Sequence, residues 1–202
     1  MEKFEVVTGK AAPLLAANID TDVIMPKQFL KGIDRAGLDK GVFFDLRFNA
    51  DQSENPDFIL NQAPWRNSSF LVVGPNFGCG SSREHAVWGI RQLGIRALIG
   101  TSFAGIFNDN CQRNGVLTIC LSPEELEKVA TFAHSATNNV ITVNLLNQEI
   151  ILPDSVIKFD LDHLKKEMLV KGLDAVGFTL QYADDIKKFE KQYFQNNPWF
   201  AL

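Results

Sequence analysis

The sequence predicts an α/β fold, a mixed, mainly parallel sheet flanked by helices. Two observations carry that prediction. Between Ser69 and Leu121, short apolar runs alternate with segments of helical spacing, the pattern of consecutive β-α-β units. Farther on, Val140 to Leu152 alternates apolar and polar residues around Asn147-Gln148, as a hairpin does, and so adds antiparallel strands to a parallel set.

Taken in order, Phe4 to Thr8 and Ala11 to Leu15 read as two short strands separated by Gly9-Lys10, and the polar turn Asn18-Ile19-Asp20-Thr21-Asp22 follows. From Lys27 to Pro64 no period holds. Gly32, Gly37 and Gly41 punctuate the stretch, which predicts a long mobile loop (about residues 27–64) with short helices, whose scattered Phe, Leu and Ile form a surface that closes on something. Phe70 to Gly74 is the first buried strand, Ser82 to Leu93 a helix stopped by Gly94, and Ile95 to Gly100 the second strand. Phe103 to Asn114 is the next helix, with Gly115 as its stop and Val116 to Leu121 as the strand after it. Ser122-Pro123-Glu124-Glu125 is a capping box with proline at the first helical position, so a helix runs from Pro123 to about His134. Val156 to Phe159 adds a further strand. The last 40 residues turn helical, and Ile186, Phe189 and Tyr193 form one stripe expected to pack the tail onto the body. The whole length, 1–202, reads as one domain.

Composition narrows the function. A chain of 202 residues, 46% hydrophobic, can bury roughly 70% of the surface its unfolded form would expose, enough for a full core without staples. Twenty Lys and Arg against 24 Asp and Glu give a net charge of -4, which offers no basic footprint for nucleic acid or an acidic membrane. The three cysteines, Cys79, Cys111 and Cys120, include no C-x-x-C pair, so a disulfide scaffold and a self-contained zinc or iron-sulfur site are both disfavoured. With no leader-like segment and no apolar run of about 18 residues, the expected location is the cytoplasm.

The chemistry concentrates in Asn76-Phe77-Gly78-Cys79-Gly80-Ser81-Ser82-Arg83-Glu84-His85-Ala86. This segment follows a buried strand and opens a helix, at the end of the sheet where such folds bind ligands. Arg83 falls in what reads as the first helical turn, where the positive end of the helix opposes a cation by about 0.3 to 1 kcal/mol unless an anion arrives. Gly78-x-Gly80 invites a dinucleotide reading, but the third glycine of that motif would fall at Arg83, and no Gly-Lys-Ser/Thr follows for a phosphate loop. What remains is a glycine-rich turn that brings two hydroxyls, a guanidinium and backbone N–H groups to one point, a site suited to a carboxylate. The plainer alternative is an S-x-x-E capping box from Ser81 to Glu84, with Arg83 reaching a surface acid. It leaves the paired glycines, Ser82 and the position of Arg83 unexplained. Cys79 reads as a small turn filler, His85 as a packed histidine, and Asp20 and Thr21 as turn formers.

Gly78 to Ala86 resembles the signature of the swivelling domain of the aconitase superfamily. Asn18 to Leu30, Ser102 to Phe107 and Leu173 to Leu180 are similar to segments of one branch of it, the separate small subunits of 3-isopropylmalate dehydratase, so the resemblance spans essentially the whole chain. It implies a swivelling β/β/α domain and a hydro-lyase of leucine biosynthesis. That enzyme interconverts 2-isopropylmalate and 3-isopropylmalate by dehydration and rehydration, and is active only when paired with its large subunit, forming a heterodimer. It further implies Ser81 as the base, Asp22 as an accessory catalytic residue, and Ser82, Arg83 and Gly80 as substrate-binding. A substrate-specificity loop carries Phe29, Leu30, Ile33 and Arg35, the last at a spacing that departs from the superfamily's arginine. No metal or cofactor is expected in this chain, and a [4Fe-4S] cluster is expected on the large subunit. Two rivals stay open: a small subunit of a related hydro-lyase of citraconate, methylmalate or homoaconitate type, and a non-catalytic carboxylate-binding module.

Overall fold

A computed structural model describes residues 1–31 and 35–200. Its strands are β1 (Val6–Leu14), β2 (Phe70–Val73), β3 (Ala97–Gly100), β4 (Leu117–Cys120), β5 (Val140–Asn144), β6 (Glu149–Leu152) and β7 (Ser155–Lys158). They form one sheet in the order β4-β3-β2-β1-β5-β6-β7. The pairs β1·β2, β2·β3 and β3·β4 are parallel, whereas β1·β5, β5·β6 and β6·β7 are antiparallel. Because β6 again points with β1 to β4, five of the seven strands run the same way, and the sheet is mixed and mainly parallel as expected.

The helices are α1 (Thr21–Ile24), α2 (Phe44–Arg47), α3 (His85–Gln92), α4 (Gly105–Arg113), α5 (Pro123–Ala133), α6 (His163–Lys171), α7 (Ala175–Leu180) and α8 (Ala183–Asn196). The capping box that starts α5 is present in both directions, Ser122 with Glu125. Strand alternation explains why the sheet is covered on both faces. Phe70 and Val72 of β2 point into a core with α5 and the hairpin strands. Leu71 and Val73 point the other way, into a core with α3, α4 and Leu38, Val42 and Phe43.

Three expectations change. The first two strands are one: β1 runs without a break through Gly9-Lys10, because its first half pairs with β5 and its second half with β2. Gly9 suits that crossing, since a Cβ there would sit 2.3 Å from the Ser69 hydroxyl. The long segment after Lys27 contains the expected short helices, Lys27–Leu30, Leu38–Gly41, α2 and Ile59–Asn61. It also supplies Leu38, Val42, Phe43, Phe58 and Leu60 to the second core, so much of it is structural. Finally, the apolar stripe of the tail does not pack on the body: no residue of α8 is buried, and Phe189 is 65% exposed.

The buried Trp65 indole donates a 2.7 Å hydrogen bond to the Ala133 carbonyl at the end of α5. Trp65→Phe keeps most of the ring but strands a buried acceptor, and should cost about 1 to 3 kcal/mol in urea unfolding.

Candidate active site at the carboxyl ends of three parallel strands

The chain leaves the carboxyl ends of β1, β2 and β3 on three loops, and all three are tied together beyond the sheet. Asp20 forms an isolated parallel bridge with Cys79, and Phe77 another with Phe103. The Gly78 amide donates to the Ile19 carbonyl and the Thr21 amide to the Cys79 carbonyl, each at 2.8 Å. On the other side, the Ala104 amide donates to Phe77 O at 3.0 Å. Asn76 donates its backbone N–H to the Ser102 hydroxyl and its side-chain amide to Asn18 Oδ1, both at 2.9 Å. The strand pairing therefore resumes after a gap, and the site sits on paired backbone.

Glycine is required at two places in this turn. Gly78 has φ +77°, and a Cβ on it would lie 2.1 Å from Cγ of Phe107, whose ring meets Phe77 edge-on at 5.6 Å. Gly80 has φ +100°, a conformation L side chains rarely adopt, and it leaves space for Thr21.

Ser81 is fixed by what surrounds it. Its N–H donates to Thr21 Oγ1 at 2.8 Å, and its Oγ accepts the Arg83 N–H at 3.2 Å. That second bond, together with a helix start at His85 and no side-chain cap on α3, excludes the S-x-x-E capping box and places Arg83 ahead of the helix. The guanidinium of Arg83 is exposed and forms no ion pair among the described residues. Ser82 is exposed too, and its carbonyl accepts a 3.1 Å bond from Asn110 Nδ2 on α4. Asp20 caps α1 by accepting the Val23 N–H at 2.8 Å. Asp22 faces solvent and pairs with Lys27 at 3.4 Å.

A shallow cleft brings Asp22, Leu30, Ser81, Arg83 and His85 together with Thr21. With room for only about 10 Å³, it is far smaller than the roughly 300 to 1,000 Å³ of pockets that enclose a small molecule. His85 Nδ1 is buried at this cleft without a hydrogen-bond partner among the described residues, and its ring lies 4.8 Å from Trp88. Two residues of the expected specificity loop are not brought into the cleft. Phe29 turns to Phe44, ring centroids 5.0 Å apart, and Arg35 stacks on Trp88 at 4.1 Å over a separate depression with Arg91 and Asn114. Ile33 lies outside the described residues.

Sequence reasoning assigned Thr21 only to a turn and passed over Asn110. Both are buried, each 5% exposed, and hold Ser81 and Ser82 from opposite sides. For Asn110 a signal existed: it interrupts the inward stripe of Phe107 and Cys111, where a polar residue needs a partner.

The cysteine set does not fit an iron-sulfur cluster. Cys111 is sealed in the second core, where burial pushes its thiol well above the ordinary value, and Cys79 Sγ donates to Asn18 O at 3.6 Å. Among the described residues, no group of three or more His, Cys, Asp or Glu could hold a metal ion.

Residues 1–124 match the family described as the aconitase C-terminal domain, and residues 176–201 match the C-terminal domain family of the 3-isopropylmalate dehydratase small subunit. The chain is 68% identical, over the full length of both, to 3-isopropylmalate dehydratase small subunit 1 of Mannheimia succiniciproducens. It is 58% identical to small subunit 2 of Salmonella typhimurium, covering 98% of this chain and 96% of that protein. A crystal structure of 3-isopropylmalate dehydratase from Methanocaldococcus jannaschii superposes with a TM-score of 0.67 at 26% identity, covering 91% of this chain and 99% of that one.

The turn's geometry predicts opposite outcomes for two glycines. Gly78→Ala, strained in φ and driven into Phe107, should cost roughly 3 kcal/mol in denaturant unfolding. Gly105→Ala, where nothing lies within 4 Å of the new Cβ, should be neutral or stabilising.

Proposed function

The chain belongs to the family of 3-isopropylmalate dehydratase small subunits, and on that footing we propose that its cleft is one wall of an active site whose other wall the large subunit provides. The reaction is the isomerisation of 2-isopropylmalate and 3-isopropylmalate in leucine biosynthesis, in the cytoplasm. The observation that carries the reading is the convergence of Ser81, Arg83 and Asp22 on one small, open cleft with Leu30 at its edge.

The roles that the family resemblance implies are compatible with each residue's surroundings. Ser81, as the alkoxide, takes the carbon-bound proton while the hydroxyl on the adjacent carbon leaves as hydroxide, which gives the alkene; the cluster assigned to the large subunit would supply the Lewis acid that accepts that hydroxide. Rehydration in the other sense returns that proton from the Ser81 hydroxyl to carbon. An alkoxide needs donors, and a well-placed one is worth about 2.7 to 4 kcal/mol. The Arg83 N–H, already directed at Ser81 Oγ, supplies one. The Arg83 guanidinium takes a substrate carboxylate in bidentate fashion, with the Ser82 hydroxyl and the backbone at Gly80 beside it. Asp22, held by Lys27 at the rim, is the accessory acid or base. Leu30, on the expected specificity loop, contacts the isopropyl group. Phe29 backs that loop through Phe44, and Arg35 anchors it on Trp88. One methylene is worth only about 1 to 3 kcal/mol, so discrimination against citraconate or methylmalate rests on a few such contacts. The [4Fe-4S] cluster that the resemblance implies is assigned to the large subunit, since this chain's thiols do not fit it.

The test is reconstitution with the large subunit from the same source, scored on isopropylmalate, citraconate and homoaconitate. The chain alone should be inactive and the pair active on isopropylmalate. Ser81→Ala should lower kcat about 10³-fold with the complex intact, and Arg83→Lys should act mainly on KM. Full turnover by the Ser81→Ala complex would leave a carboxylate-binding module in place of a catalyst. Thr21→Val, which removes the acceptor for the Ser81 N–H, should lower kcat about 10- to 100-fold with KM nearly unchanged, and Thr21→Ser should restore it.

A further inference from the structure

The helix α8 is built like a docking helix, and none of its residues is buried against the described residues of this chain. Tyr182, Ile186, Phe189 and Tyr193 recur at intervals of four, three and four residues, which puts them on one face, while Asp184, Lys188 and Lys191 lie opposite. Trp199 and Phe200 continue the apolar face: Phe189 stacks on Tyr193 at 5.7 Å, Tyr193 on Phe200 at 6.0 Å, and Trp199 meets Phe200 at 6.2 Å. These six side chains are 39% to 71% exposed. At about 150 to 250 Å² for each aromatic, they present on the order of 600 Å² of connected apolar surface, at the upper end for a monomer.

We infer that this face is the anchor for the large subunit, seated in an apolar groove of that chain. The inference rests on the reading of this chain as a small subunit. The area offered is most of the roughly 800 Å² that each partner contributes to a stable interface. The position of the tail in the family points to the same occupant. Residues 1–124 match a family described as the aconitase C-terminal domain, a description that makes it one part of a longer chain. The tail, residues 176–201, matches a family described as the C-terminal domain of the 3-isopropylmalate dehydratase small subunit. A domain released from such a tether loses an effective concentration on the order of millimolar, and an apolar helix with anchors at i, i+4, i+7 and i+11 restores the encounter by affinity.

The experiment measures the dissociation constant of the full-length chain for the large subunit by titration calorimetry, alongside Phe189→Glu/Tyr193→Glu and a truncation after Gln181. Sedimentation and thermal unfolding of the chain alone are recorded in parallel. Both variants should keep the wild-type melting temperature, since α8 buries nothing, and should bind about 30-fold or more weakly. Unchanged affinity would overturn the inference. So would a melting temperature that falls on truncation, which would assign the face to this chain's own body, or a wild-type self-dimer that the variants abolish, which would assign it to a second copy. If the wild-type chains fail to associate at all, the small-subunit reading itself fails, a result distinct from wild-type binding that the variants leave intact.

Discussion

The site depends on the re-pairing of two loops after their strands have ended. β1 and β2 separate at Leu14 and Val73, and their chains meet again where Ile19 O accepts the Gly78 N–H and Cys79 O accepts the Thr21 N–H. Only with that ladder closed does Thr21 Oγ1 lie 2.8 Å from the Ser81 amide, and only with a glycine at 78 can the second strand's chain pass Phe107 to reach it. Ser81 thus sits on a loop that behaves as an extension of the sheet. This rigid support is what a reacting group needs, because a misplacement of about 1 Å can cost two orders of magnitude in rate.

The sheet makes this possible by being buried on both faces. Its parallel half carries alternate side chains into two cores, so the strands cannot slide by one residue without exposing an entire apolar set. The long segment before β2 completes the second core with Val42, Phe43 and Phe58, and that core braces α1 and α3 on either side of the cleft. The fold therefore concentrates its rigidity where β1, β2 and β3 end. On the opposite edge, β5 to β7 close the sheet with short antiparallel strands, and the tail is left outward.

Much of this was legible in the residues. The β-α-β periodicity from Phe70 to Leu121, the capping box at Ser122 and the hairpin at Asn147 each have a local cause and appear where that cause puts them. The split of β1 was misread because Gly9-Lys10 looks like a turn locally, while two different neighbouring strands hold the chain extended through it. The inward packing of the Ile186, Phe189 and Tyr193 stripe was misread for a related reason: periodicity identifies an apolar face and says nothing about which surface covers it. At the site, Ser81, Arg83 and Asp22 were legible as chemistry. The hold of Thr21 and Asn110 on their backbone was not, because bonds between residues 60 and 28 positions apart are set by topology.

The most direct measurement of the loop tie is amide hydrogen exchange of the isolated chain. The account predicts that the Ser81 N–H exchanges far more slowly than that of Ser82, and that Thr21→Val removes this protection while β2 and β3 keep theirs. A Ser81 amide that exchanges at the rate of an unstructured loop in the wild-type chain would contradict it.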